Sequence, residues 1–204
     1  MKKFKFLELA LVAGLAFSLI TGAVAANTQR ELSEKLVRLH VIANSDSDED
    51  QALKLKVRDR VLELAAKCTA QAQNTAQAQA AISHALPEIE AAAQETVYKL
   101  GYTYPVRAKL CRMYFDTREY ETFSLPAGYY DACRIEIGAA AGKNWWCVMF
   151  PPLCLGAAEC EFSDVADKAG LTEEEQALIS SGETVYRCKF KVIEWFSELT
   201  KSFK

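Results

Sequence analysis

Residues 36–47, LVRLHVIANSDS, join the pattern of a strand to the start of a helix. Every second residue from Val37 to Ala43 is apolar, which is the period of a strand because successive side chains point to opposite faces. The polar residues that follow break the strand. Ser47 is a good N-cap, and the acidic residues after it suit the positive end of a helix. The segment therefore predicts a strand followed by a helix that opens at residue 48.

Two helical segments are expected next. The second runs from about residue 75 to residue 100 and contains Pro87, which we expect to divide it in two. Gly101 is expected to end it, because glycine readily takes the left-handed conformation that terminates helices. In the first helix apolar residues recur every three or four positions and predict one buried stripe: Leu53, Val57, Val61, Leu64 and Cys68.

The second half of the chain is predicted to be mainly strands. Thr172 is expected to cap a short acidic helix. Residues 194–203 are expected to form the last helix. With the first strand, the pattern predicts a single α+β domain, a mixed or antiparallel sheet of about five strands packed against two or three helices. The further strands are expected at residues 104–115, 129–138, 144–150 and 184–193.

The N-terminal segment, residues 1–25, has the composition of a signal peptide. Three lysines precede an apolar run, and the small residues Ala23 and Ala25 suit a signal peptidase. We expect cleavage after Ala25, so that residues 26–204 form the exported domain. An uncleaved membrane anchor is the alternative, because residues 9–26 carry no charge and are barely long enough to span a bilayer.

Charge and composition argue against several classes of function. The formal charge is -3, and the lysines and glutamate of residues 1–25 leave -5 for the rest. Nucleic-acid binding needs clustered lysine and arginine, so no nucleic-acid partner is expected. Half of the residues are apolar, and a chain of this length can bury a full core without a metal or cofactor.

The acidic residues around Asp46 have the spacing of a calcium loop. That loop needs glycine at its sixth position and glutamate at its twelfth, where this chain has Gln51 and Val57. We therefore expect the acidic residues to serve the helix start. No metal and no cofactor are predicted.

Seven cysteines in an exported domain predict at least one disulfide. Cys147 and Cys154 bracket two prolines, whose fixed φ angles turn the chain and could bring the two sulfurs together. This pair is the candidate disulfide. Cys68, Cys133 and Cys188 lie on predicted apolar faces as small core side chains.

Trp145 and Trp146 are adjacent in a predicted strand, so their rings must lie on opposite faces. Either one ring lies at the surface, where aromatic side chains favour partner binding, or a helix covers the second face and both rings are core. The sequence leaves both arrangements open.

His40 raises the alternative of an enzyme. An exported hydrolase could use His40 as base with Ser45 or Cys147 as nucleophile. However, the chain has no Gly-x-Ser-x-Gly elbow, and its only other histidine, His84, is predicted on a helix surface. We therefore expect a protein that is not an enzyme. An adhesion domain held by its N-terminal helix is a third possibility.

Three blocks of this sequence resemble the stage II sporulation protein R family. They follow the order of the family's opening signature, middle block and most recognisable motif, and together they span residues 31–196. The blocks are residues 36–47 with 49–54, residues 123–128 with Tyr130 and Ala132, and residues 144–154.

The resemblance implies an exported signalling protein of endospore formation. Family members are made in the forespore, enter the space between the forespore and mother-cell membranes, and trigger a membrane-embedded aspartic protease that cuts the precursor of sigma factor E. The expected partner is the extracytoplasmic face of that protease, close to a membrane, with no small-molecule substrate. The hypothesised contacts are Asn44, Ser45, Asp46, Ser47, Trp145 and Trp146.

Overall fold

The computed structural model describes residues 2–120, 123–153, 166–167 and 170–180. The predicted strand 184–193 and helix 194–203 lie outside these residues. The described elements, in chain order, are α1 (Lys2–Glu34), β1 (Val37–Ile42), α2 (Asp48–Thr69), α3 (Thr75–Lys99), β2 (Val106–Phe115), β3 (Arg118–Glu119), β4 (Ser124–Leu125), β5 (Gly128–Ile137), β6 (Asn144–Phe150) and α4 (Glu173–Ile179).

The main sheet is mixed and has the strand order β2-β5-β1-β6. β1 runs parallel to β5 and antiparallel to β6, while β2 pairs with β5 antiparallel. The short strands β3 and β4 form a second, two-stranded sheet. The α+β prediction is therefore confirmed. Because β1 lies between two partners and both of its faces are covered, all six of its residues are buried, including Arg38 and His40.

α2 and α3 pack against each other and cover one face of the main sheet. The predicted stripe of α2 forms this core: Leu53, Val57 and Val61 are buried, and the last two residues of the stripe pack at its edge. Ser47 caps α2 as predicted, because its hydroxyl accepts a hydrogen bond from the Asp50 N–H at 3.2 Å.

Pro87 does not divide the second helical segment, so that prediction was wrong. α3 runs unbroken from Thr75 to Lys99 with the proline inside it. Ile82 before the proline and Ile89 after it are both buried in the same core cluster. Packing of the two halves on one surface holds the helix together across the backbone hydrogen bond that proline cannot make. Gly101 ends the helix with a left-handed φ of 85°.

α1 has an exposed apolar part and a packed end. Its large apolar side chains between Leu9 and Val24 are 57–70% exposed, whereas Leu32 is 0% exposed. Leu11–Glu34 is the one candidate membrane span among the residues described: it is 24 residues long and contains an 18-residue window with a mean hydropathy of 1.6, and an N-terminal signal sequence has the same properties. The last turns of α1 therefore belong to the folded domain, and the apolar turns before them do not.

The other face of the main sheet carries a second apolar cluster over part of its area. Leu32 of α1, Phe115 of β2 and Tyr130 of β5 meet there with residues of β4 and α4. An ion pair of 2.6 Å between Lys35 and Glu175 ties the end of α1 to α4. Thr172 caps α4 in a capping box, as predicted.

Candidate functional site

The sheet face opposite α2 and α3 brings together side chains that are distant in sequence. The strand register aligns them in rows across β2, β5, β1 and β6. The three rows are Arg107, Glu136, Ile42 and Asn144; then Lys109, Arg134, His40 and Trp146; then Cys111, Ala132, Arg38 and Val148. The first two rows are polar at their β2 and β5 end, and we call Arg107, Lys109 and Arg134 the cationic patch.

His40 is a packed, uncharged ring. It stacks on Trp146 with ring centroids 3.9 Å apart, and its Nε2 lies 2.8 Å from Asn144 Oδ1. Burial lowers the pKa of His40 to about 4. The neutral ring therefore donates from Nε2 to the Asn144 carbonyl oxygen, while Nδ1 has no hydrogen-bond partner among the residues described.

The structure does not bring His40 together with either candidate nucleophile. The Ser45 hydroxyl donates to Asp50 Oδ2 at 2.5 Å. Cys147 lies in the core beneath α2 and α3, on the sheet face opposite to His40. The hydrolase arrangement of His40 with Ser45 or Cys147 is therefore not formed.

Arg38 is a central residue of the site that sequence reasoning missed. Its side chain is 0% exposed, and its guanidinium carbon lies 4.1 Å from the centre of the Phe115 ring and 5.0 Å from that of Tyr130. Nη2 donates a hydrogen bond to the Tyr120 hydroxyl. Burial lowers the pKa of Arg38, but guanidinium stays charged at neutral pH. The only sequence signal was an arginine placed between two apolar residues of a strand.

The side chains of residues 44–47 hold the end of β1 against the helix that follows. Asn44 Nδ2 donates to Asp50 Oδ2 at 2.8 Å, beside the bond from Ser45. Burial alone would raise the pKa of Asp50, but the hydrogen bonds from Ser45 and Asn44 outweigh it and lower that pKa. Asp50 is therefore a buried carboxylate whose charge is held by its own turn.

The same turn also binds the loop between β5 and β6. Asn44 Oδ1 accepts from the Ala139 N–H at 2.9 Å, and Asp46 Oδ1 accepts from the Lys143 N–H at 2.6 Å. Gly138, with φ of 59°, leaves no room for a side chain, because a Cβ there would overlap the Asn44 amide. The turn is therefore a structural joint, which holds the end of β1 and the start of α2 to the loop between β5 and β6. Its role as a partner contact stays a prediction.

Trp145 lies on the opposite face from Trp146 and is 36% exposed. The Arg58 guanidinium of α2 lies 4.4 Å above its ring. One ring of the tryptophan pair therefore lies at the surface beside a helix, and the other is half-buried against His40. A contact with a partner through either ring stays a prediction.

Four of the seven cysteines lie among the described residues, and Cys154, Cys160 and Cys188 lie outside them. Cys68, Cys111 and Cys133 are free thiols. Cys133 is a buried core side chain as predicted, and burial raises its pKa to about 12. Cys154 lies outside the described residues, so its disulfide with Cys147 stays a prediction.

Known proteins of one family match this chain over most of its length. The family model described as stage II sporulation protein R matches residues 33–159. A relative, stage II sporulation protein R of Bacillus subtilis (strain 168), is 32% identical over 213 residues, which cover 90% of this chain and 94% of the relative. No solved structure matches. The chain belongs to the stage II sporulation protein R family.

Proposed function

We propose that this protein is an exported signal of endospore formation that activates a membrane-embedded aspartic protease, which then processes the precursor of sigma factor E. Membership of the stage II sporulation protein R family is the observation that carries the proposal. The protein acts in the space between the forespore and mother-cell membranes, where it meets the extracytoplasmic face of the protease.

The two parts of α1 support export. The exposed apolar part is suited to a leader within residues 1–25, or to an uncleaved anchor, because moving apolar surface from water into a membrane lowers its free energy. The packed end, with Gln29 beside Gly128 and Leu32 in the second cluster, lies after Ala25. Cleavage at Ala25 would therefore leave Gln29 and Leu32 on the domain 26–204.

The domain acts by docking. A ligand activates a protein only when it binds the active state more tightly than the inactive one, so the signal needs a stable surface more than a reactive group. The exposed Trp145 ring is the aromatic contact that we favour, because tryptophan often dominates interface energy. The turn 44–47 contributes to docking by fixing the shape of the loop between β5 and β6.

A disulfide between Cys147 and Cys154 is part of the proposal. The space between the two membranes is extracytoplasmic, where disulfides persist. The bridge would close a short loop after β6 and stabilise the domain by about 2–3 kcal/mol in the chain-entropy model.

Co-expression in a non-sporulating host tests the function directly. The full chain, the candidate protease and the sigma precursor are produced together, and precursor cleavage is scored with and without this chain. We expect cleavage only when the chain is present and exported. Cleavage that proceeds equally without the chain, or with a chain lacking residues 1–25, would disprove the proposal.

Variants in the same host separate docking from catalysis. Trp145→Ala is expected to reduce cleavage at least fivefold, whereas Tyr98→Ala, which removes an exposed aromatic ring from α3, is expected to leave it unchanged. His40→Gln should be exported, folded and active. A folded His40→Gln protein without activity would favour the hydrolase alternative.

A further inference from the structure

The cationic patch contains a charge arrangement that the fold itself does not need. Lys109 of β2 and Arg134 of β5 are directly opposite each other in the sheet register, and like charges in such cross-strand positions repel and destabilise a sheet. An apolar or oppositely charged pair would serve the sheet better. The pair therefore needs a neighbouring anion to offset this repulsion.

The patch has one carboxylate for three cations. Lys109 Nζ and Arg134 Nε lie 3.1 Å and 2.8 Å from the same oxygen, Oε1 of Glu136. Arg107, next to Glu136 in the register, makes no ion pair with any residue that the structure describes. The patch therefore carries two uncompensated positive charges, although the chain as a whole has a formal charge of -3.

Two of the three cations of the patch, Arg107 and Arg134, also line a recess. A cavity of about 370 Å³ is bounded by Arg107, Arg134, Glu136 and the small residues of the loop that follows β5. In that loop the N–H groups of Gly138 and Ala139 are bonded to Pro105 O and Asn44 Oδ1. The arginine side chains, and not the loop backbone, are therefore the donors that face the recess.

We propose that the cationic patch is the docking site for an acidic segment of a protein partner, whose carboxylate side chain enters the recess between Arg107 and Arg134. Guanidinium groups bind carboxylates with two parallel hydrogen bonds, which gives geometric selectivity as well as attraction. The inference deepens the proposed function and rests on it for the identity of the partner. An acidic peptide fits better than a membrane surface, because the two arginine donors line a recess that a single side chain can enter.

Peptide binding to the full chain in non-ionic detergent tests the site. The probe is a fluorescein-labelled octapeptide of alternating glutamate and serine, with a glutamine-and-serine octapeptide as its uncharged control, and binding is measured by fluorescence anisotropy. We expect binding of the glutamate peptide only. Replacing Arg107 and Lys109 together by glutamine should weaken it at least tenfold.

The matched control removes two other cations. Arg60→Gln with Lys67→Gln changes the net charge equally on the exposed side of α2, where both residues pair with Glu63. We expect this variant to change the affinity less than twofold. Equal weakening by both double variants, or no binding by the folded wild-type chain, would overturn the proposal.

A third ligand, a lipid, tests whether the patch binds an acidic peptide or a membrane surface. Short-chain phosphatidylglycerol below its micelle concentration should displace the peptide poorly. Tighter binding of this lipid than of the peptide, lost in the Arg107→Gln/Lys109→Gln variant, would overturn the proposal in favour of a membrane surface.

The cleavage assay then separates the docking site from the proposed function. Cleavage that survives loss of the patch refutes the docking site alone, whereas intact peptide binding without any cleavage refutes the proposed function.

Discussion

Replacing Asn44 with alanine tests whether the turn 44–47 is a structural joint. The change removes two hydrogen bonds, one to the Asp50 carboxylate at 2.8 Å and one from the Ala139 N–H at 2.9 Å. A bond to a charged group contributes about 1.5–3 kcal/mol and a neutral one about 0.5–1.5 kcal/mol. Because Asn44 is half-buried, water replaces part of the lost hydrogen bonding. We therefore expect a loss of about 2–3 kcal/mol in the free energy of unfolding.

Urea unfolding of the full chain in non-ionic detergent, followed by tryptophan fluorescence, measures this loss. Ser47→Ala is the graded comparison in the same turn, because it removes only the cap of α2 and should cost about 1 kcal/mol. A loss below about 0.5 kcal/mol for Asn44→Ala, the range of ordinary surface substitutions, would refute the structural interpretation.

A double-mutant cycle with Gly138→Ala sharpens the test. In the wild type this substitution strains a positive φ and also forces the new Cβ into the Asn44 amide. In the Asn44→Ala background only the backbone strain remains, so the second change should cost at least about 1 kcal/mol less there. Additive effects would show that the two residues are not in contact. A folded Asn44→Ala protein that fails to support cleavage would instead assign Asn44 to the partner interface.

Three further predictions follow from burial and charge. The pKa of His40 is about 4 in the folded protein and 6.5 without the fold, so the neutral ring stabilises the folded protein above about pH 6.5, and this stabilisation is lost as the pH falls towards 4. Between pH 7 and pH 5, we expect the free energy of unfolding of the wild type, measured in urea, to fall by about 1–2 kcal/mol more than that of His40→Gln. Pro87→Ala should raise the free energy of unfolding by about 1–2 kcal/mol, because the helix regains a backbone hydrogen bond, and a destabilised variant would show that the ring is needed for packing. Leu32→Ala should cost about 2–4 kcal/mol as a cavity in the second cluster, whereas Leu15→Ala, on the exposed part of α1, should leave the urea midpoint unchanged; equal effects would contradict the division of α1.

Local features of the chain were predictable because their causes lie within a few residues. Ser47 and Thr172 cap the helices that follow them, and the apolar stripe of α2 packs on the core as its spacing predicts. β6 has the bounds that its mostly apolar sequence predicts, Asn144–Phe150. Pro87 was the failure among these local predictions, because packing along both halves of α3 outweighed the cost of one proline.

The candidate site depended on contacts between distant segments. No spacing within β2 or β5 states that Lys109 would lie opposite Arg134, because the register is set by the pairing of the whole strands. The burial of Arg38 likewise follows from the position of β1 between β5 and β6. A lone arginine in an apolar strand reads equally well as an exposed residue of an edge strand.

The sequence by itself determined the class of the domain, the apolar character of the N-terminal segment, the helix starts and the family, because composition, periodicity and long matching blocks carry that information. Only the tertiary structure decided that the turn 44–47 is bonded to the loop at Gly138, that His40 is separated from Cys147, and that Arg107 and Arg134 line one recess. The physical reason is that these relations arise from strand order and register, which depend on the free energy of the whole core and on no single segment.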